Sequence, residues 1–358
     1  MEVEKQKTPA ANRLGTLDLL RGFFIIVIII DHLGRWPSLL EIITGRGSLW
    51  VNAACGFVII SGLLIGYVRG FKDRQKPFLT TTKKLVSRAL LLYVWLVICT
   101  FIYAAITWYS PHPELLAWVE IPKGEWWLLF TSALSFDYTN NWVHFLSLYA
   151  LFLFFSPILI YLLRQKLAWV GLVLSSLAYA YGLLHGIEWL QWQVLFFVPA
   201  IVGFYLEDIK KAWKNLTGNK RQVITYGFYG VTLGTIILSA LTTKVLPSST
   251  ASVYINSSLS INPLSIGVVI LAFIWFIAFL LLFNRFEKFI HKRLGWLLYP
   301  VGTQSLTAYI IHPVTLILAS FIFVGSTSII LNTLIGIACV IGTWFLVKQR
   351  WVQKVIPR

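Results

Sequence analysis

Arg21 and His32 stand eleven residues apart in a run that is otherwise almost wholly apolar, reading Leu17-Asp18-Leu19-Leu20-Arg21-Gly22 and ending in Asp31-His32. A guanidinium holds anions and an imidazole near its free pKa moves protons, so the pair could bind an anionic ligand at one end and act as a general base at the other. At 100° per residue their interval is about 1100°, some 20° beyond three full turns, and both leave one face of a helix. The rise between them is roughly 16 Å. Asp18, at i−3 from Arg21, can pair with it, whereas Asp31 points about 100° away from its neighbour His32 and has Arg35, at i+4, as the better-placed partner. The spacing therefore predicts one polar stripe joining the two halves of a membrane, arginine inward and histidine outward. The plainer alternative is an interfacial Asp18–Arg21 pair and a helix-end histidine among headgroups.

Three further groups match those depths. Lys83, Lys84 and Arg88 open the third apolar run and predict a basic inner vestibule, unless Arg88 only snorkels to lipid phosphates. Trp142, His144, Ser147 and Tyr149 open the fourth run at the depth where His32 arrives. In the ninth, Ser305, Tyr309 and His312 fall at i, i+4 and i+7, within about 40° of one face. Interhelical hydrogen bonding is the alternative for these three. Trp189, Trp192 and Gln193 read as an aromatic belt whose indoles also suit a sugar ring.

The elements that must carry these groups are membrane helices. Of 358 residues, 58% are apolar and 12% charged, with a mean hydropathy of +0.76, too little polar material to cover a globule in water. Apolar runs of spanning length lie near 17–34, 50–68, 85–108, 142–163, 167–185, 190–206, 222–241, 263–283, 302–323 and 328–347. An all-α polytopic protein of about ten transmembrane helices follows, a single domain over 1–358 with a segment at 1–16, the bundle at 17–347 and a tail at 348–358. Ten helices put 26 of the 30 Lys and Arg on one side and only Arg35, Arg46, Lys123 and Lys244 on the other, so both termini are expected in the cytoplasm. That asymmetry accounts for the formal charge of +16 without nucleic acid as a partner. Cys55, Cys99 and Cys339 lie in apolar runs without CxxC spacing, which points away from disulfides, redox chemistry and a metal site. The first run lacks a cleavage signal and is read as a retained helix.

Arg13-Leu-Gly-Thr-Leu-Asp18-Leu-Leu-Arg21-Gly22, then His32 after ten residues, then Asn52-Ala-Ala-Cys-Gly-Phe57-Val-Ile-Ile-Ser61-Gly62, together resemble the membrane-bound acyltransferase 3 superfamily. Within it the chain is similar to the OpgC-like osmoregulated periplasmic glucan succinyltransferases. The likeness extends to Phe145-Leu-Ser-Leu-Tyr149, Trp192-Gln193-Val-Leu-Phe196 and Ser305-Leu306. Where that family usually has Asp-Ala-Ala-Glu, this sequence has Asn52-Ala-Ala-Cys55. The resemblance implies an enzyme of the bacterial cytoplasmic membrane that moves a succinyl or acetyl group from cytoplasmic acyl-CoA to a glycan or glycolipid hydroxyl outside. His32 would be the catalytic base, with Asp31 beside it in the catalytic set. Asp18, Arg21, Ser61, Lys83, Lys84 and Arg88 would hold the donor. Trp142, His144, Tyr149, Gln193, Ser305, Tyr309 and His312 would serve the acceptor or the oxyanion. Acyl-CoA is then a co-substrate and no cofactor is permanently bound. A secondary transporter or flippase using the same stripe is the rival expectation.

Overall fold

In lipid, a run of some twenty apolar residues can satisfy its backbone N–H and C=O groups only within itself, which makes each run a helix. The computed structural model describes residues 15–322 and 327–356, and no strand occurs among them. Most of the segment expected at 1–16, with Arg13, lies outside these residues, as do position 323 at the end of the ninth run and Arg358 in the tail. The principal helices are α1 (Gly15–Leu33), α2 (Ala53–Ile65, continued by a π-helical turn Gly66–Lys72), α3 (Phe78–Tyr109), α4 (His144–Arg164), α5 (Ala168–His185) and α6 (Val194–Phe204). They are followed by α7 (Gly218–Ala240), α8 (Ile266–Arg285), α9 (Glu287–Thr303), α10 (Ser305–Ile322) and α11 (Ile329–Lys348).

Among the described residues seven helices are long and apolar enough to cross a membrane, or nine if each of two bent pairs is one span. This is a multi-pass membrane protein. Two of the ten expected runs, near 190–206 and 302–323, belong to these bent pairs. Helix α6 with the short helix before it meets Leu206–Asn215 at 66°, and α9 meets α10 at 98°. The predicted run at 302–323 thus straddles a corner at Gln304, and its polar residues sit on the limb beyond it. Helix α1 carries Asp18, Arg21 and Asp31 and is too charged to be counted by composition, yet it lies at the centre, packed against α2, α8, α9, α10 and α11.

Glycine decides how closely the inner helices approach. A methyl group on Gly22 would run into the Leu298 carbonyl, and one on Gly302 into the Asp18 carbonyl, so α1 and α9 cross in backbone contact beside Arg21. Gly62, Gly66 and Gly203 do the same where α2 crosses α6. Asn52 caps α2 by accepting from the Cys55 N–H at 3.1 Å.

The loop after α2 is fastened electrostatically. Asp73 pairs with Arg69 at 2.9 Å and Lys76 at 2.6 Å, while Arg164 from the end of α4 donates to the carbonyls of Asp73 and Lys76 and to the Thr81 hydroxyl. Burial pushes the Asp73 carboxyl upward, and the bonds from Lys76 and Arg69 outweigh it, leaving the group below the ordinary carboxylate range. The connection between α3 and α4 contains an amphipathic helix, Trp126–Ser135, whose Leu129 packs with Ala104, Trp108 and Tyr138.

Candidate functional site

Two polar centres lie at opposite ends of α1. On the Arg21 side a cavity of about 680 Å³ is lined by Arg69, Lys83, Lys84, Ser87, Arg88 and Tyr149, with Ile65, Leu85, Leu91 and Leu153 as its apolar wall. Four cations converge there because the π-helical turn brings Arg69 against the start of α3, whose Lys84 and Arg88 are one turn apart. Tyr149 lies within electrostatic reach of both Arg88 and Arg21 and so couples α1 to this cavity. Tyr149, expected at the depth of His32, lines this basic cavity. Arg21 has its Nε buried without a hydrogen-bond partner, and Asp18 lies within electrostatic reach of it.

At the C-terminal end of α1, His32 Nδ1 is 2.8 Å from His312 Nε2, and His312 Nδ1 is 2.6 Å from the Tyr309 carbonyl oxygen. A carbonyl only accepts, so His312 must carry its proton on Nδ1. As a neutral imidazole it then presents a lone pair at Nε2, and His32 must donate from Nδ1. The chain of bonds leaves His32 Nε2 as the free basic nitrogen. Pro313 makes this possible: it has no N–H to offer the carbonyl four residues earlier, which belongs to Tyr309. His312 is fully buried and His32 partly exposed.

Aromatic groups enclose the pair. Tyr309 stacks on Phe57, its hydroxyl accepts from the Phe145 N–H at 3.3 Å, and Tyr103 donates to the Ile310 carbonyl at 2.9 Å while packing edge-on against Trp142. Next to Phe145, His144 bridges two partners, Thr139 Oγ at 2.8 Å and Glu188 Oε2 at 2.9 Å. Ser305 is buried at the first position of α10, just past the corner.

Some expected site residues are committed elsewhere. The Gln193 amide is bonded twice to Ser175, accepting from its hydroxyl at 2.8 Å and donating to its carbonyl at 2.7 Å, which ties α5 to the start of α6. The Ser61 hydroxyl donates to the Phe57 carbonyl of its own helix at 2.9 Å. The Asp31 carboxylate is exposed and faces Thr44, while Arg35 donates to the Ala319 carbonyl at 3.2 Å, so the expected Asp31–Arg35 pair is replaced by separate contacts. The polar stripe itself is interrupted. Ile25, Ile28 and Ile29, on α1 between Arg21 and His32, are buried in the apolar core.

The family model described as OpgC protein matches residues 13–354. The chain belongs to the OpgC family. No curated protein and no solved structure matches it. In this OpgC-family chain Asn52 still caps α2, a role in which asparagine equals aspartate. Cys55, one turn later, is completely buried. Sequence reasoning missed Arg69, Pro313, Thr139 and Glu188 as parts of these centres. A proline directly after His312 was the legible signal for the freed carbonyl, but the meeting of Glu188 with His144 across 44 positions had none.

Proposed function

We propose that this OpgC-family protein is a membrane O-acyltransferase, of the acyltransferase 3 type its first helices resemble, which moves a succinyl or acetyl group from cytoplasmic acyl-CoA to a hydroxyl of an envelope glycan or glycolipid at the outer face. The observation that carries the reading is the directed relay from the Tyr309 carbonyl through His312 to His32, which leaves one basic nitrogen at the outer end of α1. With α1 counted beside the seven apolar helices and two bent pairs, ten spans result, and the basic cavity faces the cytoplasm of a bacterial inner membrane.

In this reaction Arg69, Lys83, Lys84 and Arg88 hold the phosphates of CoA, with Tyr149 on the cavity wall within electrostatic reach of Arg21. His32 Nε2 removes the proton of the acceptor hydroxyl as that oxygen attacks the thioester carbonyl carbon. The carbon–sulfur bond breaks, the CoA thiolate leaves, and the proton held on His32 passes to it. Tyr309, whose oxygen already accepts from Phe145, retains its own O–H for the developing oxyanion. His144, oriented by Thr139 and Glu188, and Trp142 bind the acceptor. The test is release of free thiol by purified protein given succinyl-CoA or acetyl-CoA with an envelope glucan. Turnover by wild type and none by His32→Ala supports the reading; turnover retained in that variant removes His32 as the base.

The bent helices favour one second reading. Broken spans are a feature of secondary transporters and flippases. Such a protein moves its anionic or lipid-linked substrate across a vesicle membrane without consuming acyl-CoA, and the thiol assay separates the two.

A further inference from the structure

Away from both centres, a second basic cavity of about 270 Å³ lies between α7 and α8, lined by Trp213, Arg221, Gln222, Thr225, Tyr226, Tyr229, Leu281, Asn284 and Arg285. Of these, the two arginines carry the argument. Arg221 is steadied by a bond from Nε to the Leu216 carbonyl at 3.0 Å, which leaves its terminal nitrogens available. Arg285 ends α8 and lies within electrostatic reach of Tyr229. Among the described residues neither guanidinium has a carboxylate within salt-bridge distance. Two unneutralised cations aimed at one cavity call for an anion.

The surroundings say which kind. Helix α7 is the least enclosed of the membrane helices, with only 11% of its spanning window buried by protein, and it exposes Val231, Leu233 and Ile237 below the cavity. An anion held by Arg221 and Arg285 therefore has an apolar, lipid-facing wall beside it, about 18 Å long from residue 221 to residue 233. Trp213, Tyr226 and Tyr229 are the amphipathic aromatics that settle at headgroup level.

We infer that the groove between α7 and α8 is a binding site for one anionic phospholipid, its phosphate held by Arg221 and Arg285 and its acyl chains laid along α7. A free phosphate shares the headgroup chemistry, but the exposed apolar wall favours the lipid. The site does not depend on the acyl-transfer reading, and its test needs no turnover.

The experiment is native mass spectrometry of the intact protein taken from vesicles of phosphatidylglycerol and phosphatidylcholine in equal amounts. Wild type is expected to retain phosphatidylglycerol over phosphatidylcholine, and R221Q/R285Q to lose that preference by roughly an order of magnitude or more. Inorganic phosphate added in large excess should not displace the lipid. Equal retention of the two lipids by wild type, unchanged preference in the variant, or displacement by phosphate each overturns the proposal. If the double variant is not recovered folded, R221Q and R285Q singly carry the same test, each expected to lower the preference, and R221K/R285K to keep part of it.

Discussion

His32 and His312, 280 positions apart in the chain, meet through a 2.8 Å contact between Nδ1 and Nε2. One imidazole supports the other, and only the outer one has a nitrogen left over.

From this, His32→Ala should lower acyl transfer by about 10²- to 10⁴-fold. His312→Ala should cost less, roughly a hundredfold in kcat with little change in KM for acyl-CoA, because it loosens the base without removing it. His312→Gln, which restores an acceptor near the Nε2 position, should recover part of the loss. Thiol release by purified variants measures all three; equal loss in His312→Ala and His312→Gln would count against a supporting role.

Pro313→Ala restores an N–H within reach of the Tyr309 carbonyl and so competes with His312 Nδ1 for it. The expected result is a kcat about tenfold lower in a helix that is no less stable. Unchanged kcat would mean that the carbonyl serves both donors.

Neutralising the inner cavity should act on the donor instead. Arg88→Gln and Lys84→Gln are expected to raise the KM for acyl-CoA severalfold and to flatten its dependence on salt, with kcat nearly unchanged. Initial rates at low and high ionic strength give the comparison.

Gly22→Ala forces a methyl group against the Leu298 carbonyl, where backbone atoms cannot step aside. Overpacking of this kind costs about 1–3 kcal/mol, so the thermal midpoint in detergent should fall by several degrees. Gly230→Ala, where an added Cβ meets nothing, is the control and should leave the midpoint in place.

Because Asp73 is held below its ordinary range, it stabilises the folded loop at all pH values above the usual carboxylate pKa, and that contribution is lost as pH falls through its lowered value. Proteolysis between residues 72 and 78 should therefore increase under strongly acidic conditions. In Asp73→Asn the susceptibility should be high already at neutral pH and change little with acid.

Much of the architecture was written in the sequence because lipid leaves the backbone few choices: apolar runs of the right length become helices. The corner at Gln304 was not, since Pro300 and Pro313 lie within helices on either side of it and composition stays apolar across the turn. Helical spacing found His32, Tyr309 and His312 as members of two faces, but nothing in either pattern says that those faces touch. Gln193 shows the converse: its type suits a sugar hydroxyl, and its spacing does not reveal that it is buried with two bonds to Ser175. Tyr149 lines the basic cavity beside Arg88, a meeting of two helices that spacing along either one does not carry.

The row of Ile25, Ile28 and Ile29 has a bearing on bioenergetics. A continuous wet channel along α1 would short-circuit the ion gradient on which the cell depends. Branched hydrocarbon at mid-depth instead acts as electrical insulation between the arginine and the histidine pair, so that protons are kept from leaking along the helix.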